Sequence, residues 1–155
     1  MTGQELSHKI KSGEFDFDGD NFANMDLKGC DLSGGIFANV DFRHSNFTDA
    51  DLRDAMFYNC SMHGAVLDGA DIRKAIFSES ELDQARLDHV NAFFTQFTNS
   101  KMPGADFSNA KIEAGVFNEI DLSQAVFKMS DLKKGIFNGC NLTGVDFSAA
   151  RMNKA

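Results

Sequence analysis

Residues 31–60 read DLSGG IFANV DFRHS NFTDA DLRDA MFYNC, six blocks of five with a large apolar residue second in each: Leu32, Phe37, Phe42, Phe47, Leu52 and Phe57. The register runs from Phe17 to Met152 as twenty-eight block centres, twenty-seven of them Phe, Leu, Ile or Met, with Ala92 the exception. Two residues before most centres stands a small side chain, such as Cys30, Gly35, Ala50 or Ala55. Residues two apart on an extended segment point the same way, so the centre and its small partner face inward and the residue between them faces outward. Turn-forming residues follow the centres, as in Ser33-Gly34 and Thr143-Gly144. Neither a helical period nor plain strand alternation gives a repeat of five. Every fourth centre in one series is phenylalanine: Phe17, Phe37, Phe57, Phe77, Phe97, Phe117 and Phe137. The chain therefore makes one circuit of four short sides every twenty residues, and these seven rings form one column.

The blocks resemble those of the pentapeptide-repeat family: a small residue, Asp or Asn, Leu or Phe, then two mostly polar residues. The resemblance covers about 140 of the 155 residues. It implies an all-β right-handed quadrilateral β-helix, here of seven coils over residues 14–155. At ~4.8 Å per stacked strand the rod is roughly 34 Å long. Some members of the family mimic duplex DNA, bind DNA gyrase or topoisomerase IV and protect against quinolones, so a type II topoisomerase is one partner the resemblance suggests.

Ahead of the repeat, residues 1–13 predict a short capping helix. Thr2 and Glu5 have capping-box spacing. Leu6 and Ile10 share a face, and Gly13 suits the C-terminal end. Such a helix would cover the apolar end of the first coil, as solenoids require. The other end shows apolar Phe147 and Met152 with no cap after them. Family resemblance suggests an end-on homodimer there.

Composition narrows the function. Sixteen Phe, one Tyr and no Trp is a core-filling bias. A net charge of −8 argues against direct nucleic-acid binding, which needs bases to neutralise phosphates. The opening residues lack an apolar signal region and no run approaches a membrane span, so a cytoplasmic protein with reduced cysteines is expected. Cys60 and Cys140 share a column four coils apart, roughly 19 Å, beyond disulfide reach. His44 and His63 fall on successive coils of one face, but with no cysteine beside them they are expected to be solvated, not half of a zinc site. No Ser–His–Asp set shares a column, and a packed rod offers no cleft. Hence no catalytic residue, metal or cofactor is expected.

Acidity is concentrated in residues 12–92, with sixteen acids against six bases. Ten aspartates, however, occupy the slot before a centre, where a carboxylate serves by accepting nearby backbone N–H groups. Lys101, Lys111, Arg86 and Arg151 interrupt the negative rows that DNA mimicry wants. The stronger anomaly lies in that same slot beside the phenylalanine column. It holds Asp16, Ile36, Met56, Ile76, Gln96, Val116 and Ile136, five of seven apolar. A contiguous apolar stripe on a soluble rod marks a contact surface, while branched residues also simply suit a strand. Tyr58 adjoins the stripe. At Asn91-Ala92-Phe93-Phe94-Thr95 either Ala92 stays inward and both rings are exposed, or a bulge turns Phe93 in. Phe94 then stands beside Gln96, the gap in the stripe. The leading expectation is a non-enzymatic scaffold for a protein partner; the alternative is a topoisomerase-directed DNA mimic.

Overall fold

The computed structural model describes residues 1–155. Helix α1 spans Gly3–Lys11, and its capping box forms as the spacing predicts, with Glu5 N–H on the Thr2 hydroxyl and the Glu5 carboxylate on the Thr2 N–H. Its Leu6 and Ile10 are buried. Ser7 donates to the carbonyl of Asp31 at 2.8 Å. A Cβ added at Gly3 would come within 2.5 Å of the Asp26 carbonyl oxygen. The helix backbone thus lies directly on the first coil.

Strands β1 (Asp16–Asp18), β2 (Ile36–Ala38), β3 (Met56–Tyr58), β4 (Ile76–Ser78), β5 (Gln96–Thr98), β6 (Val116–Asn118) and β7 (Ile136–Asn138) form one parallel sheet in chain order. The register is twenty residues throughout, Phe17 against Phe37 and so on to Phe117 against Phe137. Seven strands give six coil-to-coil steps on this face, so the last of the seven expected coils has no strand beyond it. The other three faces pair through single bridges at the residue before each centre, such as Asn21 with Asp41 and Asp31 with Asp51. Inside, the phenylalanine column stacks face to face: Phe57–Phe77 centroids are 4.7 Å apart, Phe77–Phe97 5.0 Å and Phe97–Phe117 5.1 Å. One apolar cluster of 40 buried residues fills the rod, leaving the interior to side chains alone.

Why only one face forms true strands is a matter of turns. On the other faces the centre carbonyl accepts the N–H three residues on, as Phe22 does from Met25 at 3.1 Å and Leu27 from Cys30 at 3.0 Å. The residue two after the centre then takes a positive φ, +60° at Asn24 and +64° at Gly29, the signature of a type II turn. This leaves the N–H just after the centre free, and the Asp or Asn before the centre takes it. Arg43 N–H donates to Asp41 at 3.0 Å and Ser123 N–H to Asp121 at 3.0 Å. Nine of the ten aspartates in this slot are so used, all but Asp16.

On the phenylalanine face the residue after the centre pairs within the sheet, as Ala38 does with Tyr58. The N–H three residues after the centre makes no bond to the centre carbonyl on this face, and at two corners it goes to a hydroxyl in the next coil instead: Cys60 N–H to Ser80 Oγ and Ser80 N–H to Ser100 Oγ, both 3.1 Å. The slot before the centre therefore has no amide to satisfy. Asp or Asn is not needed there, and strand-favouring Ile and Val are free to occupy it.

At the irregular block, Ala92 stays inward and fully buried, while Asn91 still bridges Asp71 and Lys111. There is no bulge, and Phe93 does not replace Ala92. Cys30 and Cys60 are buried, Cys140 is half-buried, and all three are free. Towards the end of the chain burial falls: Phe137 and Phe147 are half-buried and Met152 is exposed.

Candidate docking face

The stripe before the phenylalanine centres runs straight down the sheet, because strands in twenty-residue register place Ile36, Met56, Ile76, Gln96, Val116 and Ile136 side by side. Ile36, Met56, Ile76 and Val116 are half-buried, less open than a simple inward–outward alternation suggests, whereas Ile136 is 54% exposed. Tyr58 is exposed, its hydroxyl on the Met56 sulfur at 3.4 Å. Phe94 is 59% exposed at the corner leading onto this face, and Phe93 is half-buried beside it. Thus the structure brings Tyr58, Phe94 and the stripe onto one side of the rod. Phe147 and Met152 lie apart from it in the final coil.

The electrostatics are local. Arg53 forks onto Asp51 and Arg73 onto Asp71, each with its Nη2 at 2.6 Å from the carboxylate. The Arg53 fork holds the Asp51 carboxyl below the usual carboxylate value, and the Ser33 hydroxyl does the same for Asp31. Burial instead pushes Asp68 up, despite Arg86 beside it, and raises the Cys60 thiol to about 11. The His44 and His63 rings meet edge to face at 5.2 Å, and His63 Nδ1 bonds Asp83. No three His, Cys, Asp or Glu side chains converge as a metal would require. No helix is long and apolar enough to cross a membrane.

Residues 14–87 match the family described as pentapeptide repeat region, and residues 93–128 and 130–155 match pentapeptide repeats. The chain belongs to the pentapeptide-repeat family. Among solved pentapeptide-repeat and related structures, trypsin-treated QnrB1, a plasmid-mediated fluoroquinolone resistance protein, overlaps 88% of this chain and 76% of its own at 22% identity and a TM-score of 0.68. HetL, involved in heterocyst differentiation regulation in Nostoc sp. strain PCC 7120, covers 100% of this chain and 94% of its own at 20% identity, TM-score 0.35. Rfr23 from Cyanothece 51142 covers 97% and 95% at 15% identity, TM-score 0.48. No curated protein matches the chain. At these identities the likeness to QnrB1 shows a shared β-helix. The repeat itself explains the aspartates, since they close turns, so what sets this pentapeptide-repeat protein apart is what its turns do not require.

Proposed function

We propose that this protein is a non-enzymatic scaffold that docks a protein partner along the phenylalanine face and the corner leading onto it. One observation carries the reading. Away from its two terminal coils, the rod exposes three large apolar side chains, Tyr58, Phe94 and Met129, and two of them lie on this face or its corner, with the exposed Ile136 continuing the face on the last strand. Between them run the half-buried Ile76 and Val116. Apolar side chains gathered on one side of a rod are the usual signature of a contact surface. Replacing Ile76 and Val116 by Asp tests the reading, because both side chains stand outside the stacked core. Capture of a partner from the native cell extract should be lost while the far-ultraviolet spectrum and melting cooperativity persist. Undiminished capture would end the proposal.

A second reading has a narrower basis: a β-helix shared with QnrB1 and an N-terminal half rich in acids point to a type II topoisomerase. The aspartates committed to turn amides and the interrupting bases count against it. Supercoiling by DNA gyrase with added protein, with and without a quinolone, decides the matter, and no effect at micromolar protein closes it.

A further inference from the structure

The face with centres Leu32, Leu52, Ile72, Ala92, Ile112, Leu132 and Met152 is charged unlike the rest of the rod. Its outward slots carry eight Lys or Arg against six Asp or Glu, in a chain of net charge −8. From residue 71 onward the count is seven against three, whereas over the same range the adjoining phenylalanine face has two acids, Glu79 and Glu119, and no base. Phe93 and Phe94 stand in the middle of this basic tract. Backbone bonds fix the columns, with Lys74 N–H on the Phe93 carbonyl at 3.0 Å and Phe94 N–H on that of Glu113 at 3.2 Å.

Arg73, Lys74, Asn91, Phe93 and Phe94 line a groove of about 360 Å³ at the corner. Arg73 is held in place by its fork to Asp71, and the Lys74 ammonium has no carboxylate within 4.0 Å. Asn91 lines the groove, and its side-chain oxygen is buried beneath the surface without a donor. In the equivalent slots of other coils Asp51, Asp71 and Asp131 accept the N–H two residues on, at 3.1, 3.2 and 3.3 Å. A buried acceptor without a donor is rare and calls for one.

We propose that this groove receives an acidic peptide segment of a protein partner, one apolar side chain packing against Phe93 and Phe94 and carboxylates facing Lys74 and the bases beyond it. The inference rests on the docking reading above and gives its partner a chemistry. Charge complementarity selects the occupant. The one net-positive face holds the exposed Phe94 with the half-buried Phe93 beside it. A nucleic-acid strand would meet the same cations and rings, but it carries a charge at every nucleotide and runs on over the acidic neighbouring faces, which repel it more than a short peptide confined to the groove.

The probe is a short synthetic peptide of Asp and Glu around one Phe, titrated into the labelled protein by nuclear magnetic resonance. Controls are the same peptide with Ser for Phe, a Lys-based counterpart and a single-stranded oligothymidylate. The variants are Lys74→Asn and Phe94→Asn. Both positions sit at positive φ, +60° and +59°, which Asn adopts readily, so the fold is kept. The acidic peptide should shift amides of residues 73–76 and 91–96, weaken with added salt, and bind at least about tenfold less tightly to Phe94→Asn, as expected for an aromatic anchor. No shift at millimolar peptide, equal binding of the Lys-based peptide, or preference for the oligothymidylate overturns the inference. If the peptide fails while Ile76→Asp with Val116→Asp still abolishes partner capture, only the partner's chemistry is wrong.

Discussion

Replacing Phe97 by alanine should unfold the rod far more readily than the same change at Phe137. Phe97 is fully buried, stacked on Phe77 at 5.0 Å and Phe117 at 5.1 Å, with the Phe107 ring edge-on at 5.8 Å. Removing a buried ring that cannot be replaced by collapse costs about 3–5 kcal/mol. Each lost stack accounts for about 0.5–1.5 kcal/mol of it. Phe137 is half-buried and has one stacked neighbour, Phe117 at 4.8 Å, so its loss should cost about half as much. The position matters as well, because coils contact only their neighbours and a central gap uncouples the two halves. The assay is urea unfolding followed by circular dichroism. With a slope of about 2 kcal/mol per molar, a loss of about 4 kcal/mol lowers the midpoint by about 2 M. A loss below about 1 kcal/mol at Phe97, or a larger loss at Phe137, refutes the view that the stacked column holds the coils together.

Three further outcomes are expected. Gly3→Ala should melt earlier than wild type by differential scanning calorimetry, because the new Cβ would press on the Asp26 carbonyl and lift α1 off the first coil; an unchanged transition would show that the helix is not seated there. Asp31, Asp41 and Asp51 have folded pKa values depressed below 3.8, through the Ser33 hydroxyl, Arg43 and Arg53 respectively. Their stabilising contribution is complete above that ordinary value and lost as the pH falls through the lower folded ones. The urea midpoint should therefore decline on that acid limb, and less so for Asp51→Asn. Cys60, raised to about 11 by burial, holds about 0.1% thiolate at pH 8. Native protein should thus label with a thiol reagent far more slowly at Cys60 than after denaturation.

The five-residue spacing and the phenylalanine period made the β-helix legible, since no other arrangement keeps a count of five from Phe17 to Met152. Thr2 and Glu5 announced the helix that covers its first coil. In backbone, however, the four sides read as equivalent, and they are not. Only the phenylalanine face extends into strands, where the residue after each centre pairs with the next coil; two of its corners, those at Cys60 and Ser80, also close through Ser80 and Ser100 in the next coil instead of through their own carbonyl. In the sequence those serines look like any other small inward residue. The near-absence of Asp and Asn before the phenylalanine centres, Asp16 alone excepted, was the available signal, and its first cause is this backbone pairing. The block at Ala92 was undecidable by counting, since a bulge and a regular coil both preserve the spacing. Only packing shows Ala92 inside and Phe94 out. The basic face was in the sequence throughout, but it emerges only when charges are sorted by side of the rod instead of along the chain.

The central claim is that a protein partner covers the phenylalanine face and its leading corner. Hydrogen exchange of the purified complex against the free protein tests it directly. The account predicts slowed exchange in β2–β7 and residues 91–96, with the opposite face, centred on Leu27 to Phe147, unchanged. Protection confined to that opposite face or to the ends of the rod would contradict it.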